Sequence, residues 1–275
     1  MKSYCVLGTR ILPLKEARLP LNDLGVLRGY AVFDFLRTFN GKPFLFDEHF
    51  TRFERSAKLI GLSVPVSKAT VARLIRELMK KNRVKDASLR LVLTGGPTPD
   101  GMTRTKPTFY ILCEDLYALP SSVFTKGAKL ITQEYLRPFP SGKTTHYLMA
   151  MTLQEKKRRA GALEILYVRD GRVYEASTSN IFIVSKGVFI TPKDSVLPGI
   201  TRILTIRLAR ALKIKTVERP VLVKELFTAD EVFISATNKD IAPIVAVDGK
   251  RVGKGVVGPI TKKLLMAYRA YTRSF

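Results

Sequence analysis

Tryptophan is absent, cysteine and histidine occur twice each, and acidic residues number 23 against 47 basic ones. Each shortage closes a class of function. Cys5 and Cys113 make neither a disulfide framework nor a cysteine-rich metal centre, and read as buried free thiols. With only His49 and His146 to add, no zinc or non-haem iron site is expected. No run of about 18 apolar residues occurs, so no membrane-spanning helix is expected. Met1-Lys2-Ser3-Tyr4-Cys5 lacks the apolar core of a secretory leader, which makes the cytoplasm the expected compartment. Internal repeats and low-complexity segments are missing too.

What is present suffices for a substantial core. The 275 residues, 46% of them hydrophobic, suit one large domain or two medium ones. A formal charge of +24 raises the question of a nucleic-acid partner, since lysine and arginine neutralise phosphates and release counterions. The basic residues are scattered, however. Lys80-Lys81, Lys156-Lys157-Arg158-Arg159 and Lys262-Lys263 each fall within a helical pattern, and no nucleic-acid fold signature accompanies them. A solvated basic surface that weakly attracts anionic substrates and cofactors is the better reading.

Hydrophobic periodicity predicts strands at Tyr4 to Leu7 and Val32 to Phe39, a turn at Asn40-Gly41-Lys42-Pro43, and Phe44 to Phe46 pairing back. Asp47 is expected to cap a helix from Glu48 to Gly61, and Ser67 a second one to about Asn82. Strands follow at Ser88 to Thr94 and Thr108 to Cys113. Tyr117-Ala118-Leu119-Pro120-Ser121-Ser122 has linker chemistry, giving a small domain over 1–116, a linker over 117–124 and a larger domain over 125–275. In the larger part a helix is expected from Thr145 to Ala160, another from Thr201 to Leu212 and a last one from Pro259 to Thr272, among short strands. Strands and helices mix without a regular βαβ repeat, which indicates an α+β fold.

Three segments carry chemistry. Ser141-Gly142-Lys143-Thr144-Thr145-His146-Tyr147 offers an amine, Glu175-Ala176-Ser177-Thr178-Ser179-Asn180 a carboxylate, and Leu197-Pro198-Gly199-Ile200-Thr201-Arg202 a helix start. Together they are the parts for a Schiff base, a pyridinium partner and a phosphate seat, which is what pyridoxal 5′-phosphate (PLP) needs. Gly142-Lys143-Thr144 also looks like the end of a nucleotide-binding P-loop. That loop requires a glycine where Arg137 stands, so nucleoside triphosphates are set aside.

Over nearly its whole length the chain resembles the class IV aminotransferases, the PLP enzymes of the branched-chain and D-amino acid transaminase fold. The resemblance rests on Asp47-Glu48-His49-Phe50-Thr51-Arg52-Phe53, Lys143 to Leu148, Glu175 to Asn180, Leu197 to Arg202 and Ser235-Ala236-Thr237, in order and at family spacing. It implies a two-domain α+β fold with the active site between a smaller N-terminal and a larger C-terminal domain. It also implies Lys143 as the catalytic amine, Glu175 as partner of the pyridine nitrogen, and Arg52 as a bidentate grip on the phosphate. Ile200, Thr201 and Thr237 would meet the same phosphate, Tyr147 the ring oxygen, and Thr178, Ser179 and Asn180 the ring's pocket, with Leu197 and Ala236 beside them.

The resemblance bears on substrate as well. Arg28 lies in a hairpin that relatives present across a homodimer, and Arg90 would point into the pocket, with Phe33 lining it. Branched-chain enzymes generally have a tyrosine at the position of Arg28 and another at that of Ser88. The best-known D-amino acid transaminases use an arginine and a histidine in the loop here occupied by Pro99-Asp100-Gly101-Met102. This chain is most similar to a less common D-amino acid transaminase group with an arginine pair, which implies D-alanine or D-glutamate with pyruvate or 2-oxoglutarate. A branched-chain L-amino acid transaminase, an aminodeoxychorismate lyase and a non-catalytic nucleic-acid binder remain as alternatives.

Overall fold

The computed structural model describes every residue from Met1 to Phe275, and contacts divide the chain into two units. The first comprises Met1–Tyr117, Gly142–His146 and Phe275; the second comprises Ala118–Ser141 and Tyr147–Ser274. The chain therefore leaves the second unit at Gly142 and re-enters it at Tyr147. Part of the expected linker is helical, over Ser121–Lys126. No helix is long and apolar enough to cross a membrane.

The first unit is built on a six-stranded antiparallel sheet. Its order is Arg10–Pro13, Tyr4–Leu7, Thr108–Glu114, Ser88–Thr94, Ala31–Phe39 and Lys42–Pro43. Alternation along the strands sends Leu89, Leu91, Leu93, Phe109 and Ile111 to one face, all buried. Two amphipathic helices, Phe46–Leu59 and Lys68–Lys81, cover that face with Phe50, Phe53, Ala57, Val71, Leu74, Ile75 and Leu78. Ser67 caps the second helix by accepting from Thr70 N–H at 3.2 Å. The first helix starts earlier than expected. Leu45, in the left-handed region at φ 48°, redirects the chain, so Phe46 is helical and Asp47 lies in the first turn rather than at the cap. Arg28 is not in a hairpin but ends a one-turn helix, Leu24–Arg28, capped by Asp23 and closed by Gly29 at φ 63°.

In the second unit the strand Asn180–Ser185 pairs with Glu231–Ala236, and the path continues through Asp240–Val247, Ala128–Glu134 and Glu164–Arg169 to Arg172–Ala176. Asn180 then pairs with Glu175, which closes these six strands on themselves. The helices Ile200–Ala211 and Pro259–Arg273 pack against this sheet and each other. The expected helix from Thr145 to Ala160 is two short ones, Leu148–Thr152 and Gln154–Arg159. Its first residues are held extended instead, because Thr144 bridges Val32 and Thr145 N–H donates to Ala31 O. The basic pairs Lys80-Lys81 and Lys262-Lys263 are exposed on separate helices, and Glu155 binds Arg158 and Arg159 on a third.

Candidate active site

In the first unit, Gly142–His146 runs along the strand Ala31–Phe39. Phe33 N–H donates to Lys143 O at 2.9 Å, and Lys143 N–H donates to Ser56 Oγ at 3.0 Å. Lys143 Nζ lies 4.5 Å from the centre of the Phe33 ring. Arg90 reaches the same ring, its Cζ 5.4 Å from the centre, and lies 4.9 Å from that of Phe35. Phe33 thus gathers Lys143 and Arg90. Arg90 is not an unattached guanidinium: its Nε and Nη2 donate to the two carboxylate oxygens of Glu114 at 2.6 and 3.1 Å. Arg28 Nε donates to Gly101 O at 3.1 Å. That ties its helix to a loop that Asp100 organises by accepting from Met102 N–H, Thr103 N–H and the hydroxyls of Thr98 and Thr103.

Arg52 is engaged on one edge: its Nε and Nη2 both donate to Asp34, each at 2.8 Å, and the Nη1 side is what remains uncommitted to Asp34. His49 Nδ1 lies 2.6 Å from the same carboxylate, and all three side chains are buried. Burial alone would push the Asp34 carboxyl up, but the charges and hydrogen bonds of Arg52 and His49 hold it well below the usual carboxylate range. Burial pulls His49 below its ordinary 6.5, against the opposing pull of Asp34. The sign of the pH dependence follows. Below pH 6.5 the unfolded chain binds a proton at His49 that the folded one refuses, so stability contributed above that pH is lost as the pH falls. Asp34 adds a further loss only below its ordinary value of 3.8. Stability of the wild type against denaturant should therefore fall between pH 6.5 and 5 by up to about 1.4 kcal/mol per pH unit more steeply than that of His49→Gln. Equal slopes would refute this account of His49.

In the second unit, Glu175 is 5% exposed and sits where the strands close. Its Oε1 accepts from Arg137 Nε and Nη2, both at 2.7 Å, and its Oε2 from Leu197 N–H at 3.0 Å. Burial alone would weaken the Arg137 charge, but Glu175 reverses that and raises the guanidinium above its ordinary value; Tyr147 and Tyr167 act on it as well. Asn180 Nδ2 donates to Leu197 O at 2.8 Å. Its Oδ1 stands 2.1 Å from where a side chain on Gly199 would begin, so a larger residue there would displace the Asn180 amide. Gly199 precedes the helix Ile200–Ala211 and supplies no capping side chain. The N–H groups of Ile200, Thr201 and Arg202 consequently have no helical partner, at a helix start that is buried. Ser235, opposite Asn180 in register, has a buried hydroxyl that makes no hydrogen bond, and half-buried Ala236 and Thr237 follow it. A buried, uncapped helix start with an orphaned hydroxyl fits a phosphate ester, and a doubly held carboxylate fits a protonated ring nitrogen. The donor set suits PLP.

Thr178 and Ser179 are occupied otherwise than expected. Glu164, 2% exposed, accepts from the hydroxyls of Ser177, Thr178 and Ser179 and from Thr178 N–H, and pairs with Lys239 Nζ at 3.3 Å. Lys239 also donates to Thr178 Oγ1 at 2.8 Å. Their hydroxyls thus brace the turn that carries Asn180 onto its strand. Arg137, Glu164, Lys239, Ser56 and Glu114 had no recognisable spacing in the sequence. The only hint was a glutamate opening the apolar run Glu164-Ile165-Leu166-Tyr167-Val168.

Residues 31–247 match the family model of the class IV amino-transferases. A protein of Methanocaldococcus jannaschii, provisionally named a branched-chain-amino-acid aminotransferase, is 34% identical, over 96% of this chain and 94% of its own. A D-alanine aminotransferase of Bacillus licheniformis is 30% identical, over 94% of this chain and 93% of its own. The crystal structure of the Escherichia coli branched-chain amino acid aminotransferase superposes with a TM-score of 0.93 at 27% identity, over all of this chain and 96% of that one.

Proposed function

The chain belongs to the class IV aminotransferases, and on that premise we propose that it moves the amino group of a D-amino acid, such as D-alanine or D-glutamate, to a 2-oxo acid. PLP, the cofactor of this family, supplies when bound an aldehyde to receive the amino group and an electron-accepting ring. The chain's own residues do the rest. Lys143 is the amine that would hold the cofactor covalently, and its Nζ, once released, would carry the proton from the substrate Cα to the cofactor's C4′ carbon, and back again in the second half-reaction. Glu175, steadied by Arg137 and Leu197 N–H, keeps a proton on the ring nitrogen. The N–H groups of Ile200 and Thr201, with Thr237 and the Nη1 side of Arg52, hold the phosphate, and Tyr147 donates to the ring oxygen. Thr178 and Ser179 act through Glu164 to set Asn180, with Leu197 and Ala236 alongside.

The observation that carries this reading is Phe33, whose ring has the Lys143 ammonium and the Arg90 guanidinium both upon it. A carboxylate gripped by Arg90 is thereby close to the amine, and an Arg28 contributed by the neighbouring subunit, held on its own chain by Gly101, adds a second cation to that grip. In a homodimer Arg28 serves the neighbouring subunit's site. A second reading, transamination of branched-chain L-amino acids, is favoured by the M. jannaschii relative and leaves Lys143 and Glu175 in the same roles.

Absorbance changes of the loaded enzyme with matched D- and L-amino acids separate the two readings. Arg28→Ala and Arg90→Ala should each raise KM for D-alanine or D-glutamate by roughly ten-fold to a hundred-fold, the cost of a lost charge-assisted hydrogen bond. Unchanged constants in both variants, or turnover with L-leucine alone, would end the D-specific assignment. At substrate concentrations well below the raised KM, mixing Arg28→Ala with inactive Lys143→Ala subunits should restore activity through hybrid dimers, whose intact site pairs Lys143 of one subunit with Arg28 of the other. No restoration would place Arg28 in its own subunit's site.

A further inference from the structure

Lys143 has both backbone polar groups engaged in the first unit, its O by Phe33 N–H and its N–H by Ser56 Oγ. Ser56 is 1% exposed and also donates to Arg52 O, one turn back on the same helix, at 2.8 Å. A hydroxyl has one proton and two lone pairs. A buried helical serine commonly spends the proton on the carbonyl one turn back, and here the remaining acceptor capacity faces the lysine. The Arg52 side chain completes the circuit through Asp34, the residue after Phe33. The links run from Lys143 to Ser56, to the Arg52 backbone, through the Arg52 guanidinium to Asp34, and along one peptide to Phe33 and back to Lys143.

We propose that Ser56 is a positioning residue for the reaction, fixing the Lys143 backbone against the helix Phe46–Leu59 so that the reach of Nζ is set by that helix. This rests on the reading of Lys143 as the reactive amine. Gly142–His146 needs such an anchor. It is a five-residue excursion between two stretches of the second unit, and its only ladder pairing is the Val32–Thr144 bridge. The long lysine side chain has many rotamers, so loosening its Cα spreads the amine over positions from which proton transfer fails. A misplacement of about 1 Å costs roughly a hundred-fold in rate.

The experiment compares Ser56→Ala and Ser56→Thr with the wild type. In cofactor-free protein, amide hydrogen exchange at Lys143 should accelerate at least roughly ten-fold in Ser56→Ala, the loss expected when a hydrogen bond to a buried group is removed. Exchange at Phe50 and Phe53 on the same helix should not follow. In the loaded enzyme, the pH titration of the cofactor–lysine absorbance should shift, and kcat should fall roughly ten-fold to a hundred-fold with little change in KM. Ser56→Thr keeps the hydroxyl and should restore both. If Ser56→Ala does not fold, Ser56→Cys, a weak bonding partner of similar size, takes its place. Lys143 exchange and absorbance titration that stay at wild-type values, whatever happens to the melting temperature, would overturn the proposal, as would equal acceleration in the Thr and Ala variants. A borohydride-fixed adduct on another side chain would instead remove the reading of Lys143, while the exchange data would still decide whether Ser56 anchors its backbone.

Discussion

Lys143→Ala should lower kcat by about 10⁴-fold or more, because on the proposed reading the variant loses the group that carries the substrate Cα proton. It will also lose the borohydride-fixed covalent adduct, read by mass spectrometry of peptides from the reduced protein. The fold should tolerate the change. Lys143 contributes its backbone to the Phe33 and Ser56 hydrogen bonds, and alanine retains both. Loss of activity with an unaltered melting temperature is therefore the expected pair of results. Activity within ten-fold of wild type would remove the central assignment.

The second large effect comes from the Arg137–Glu175 pair. The two side chains are 9% and 5% exposed, so each charge is tolerated because of the other. Glu175→Gln strands a buried guanidinium and Arg137→Met a buried carboxylate, and each should cost about 3–5 kcal/mol of stability. Removing both charges takes away the mismatch. The double variant should be more stable than the summed single losses by roughly 2–3 kcal/mol in denaturant unfolding. Activity should not return with it. On the proposed reading Glu175 keeps the proton on the ring nitrogen, so kcat should stay down by about 10³-fold in both Glu175→Gln and the double variant. Recovery of turnover alongside recovery of stability would make Glu175 a structural residue only.

Several elements were plain in the sequence because local chemistry decides them. The strand Ser88–Thr94 is a short, mostly apolar run with Leu89, Leu91 and Leu93 at every second position, and the helix begun by Ser67 carries both its cap and an apolar stripe. Expectation and structure part where long-range contacts overrule local preference. Asp47 has the chemistry of a cap, yet Leu45 turns the chain first so that Phe46 can pack against Phe50. Thr145 heads a sequence that would continue as a helix, yet its N–H is claimed by Ala31 in a distant strand. The arginines show the same division. Arg52 and Arg90 were recognisable as cations worth watching, but Asp34 and Glu114 had claimed one edge of each.

Residue order alone determined that this is an aminotransferase of the class IV type, that PLP is its cofactor, and which amine and which carboxylate to examine, since those signals are short strings at fixed spacing. Folding decided the company each buried charge keeps: Glu175 with Arg137, Asp34 with Arg52 and His49, Glu164 with Lys239. Those pairings join positions set beside one another by strand register and by exclusion from water. A charge shut away from solvent takes whichever counterpart the packed chain delivers, and no string of neighbouring residues encodes that.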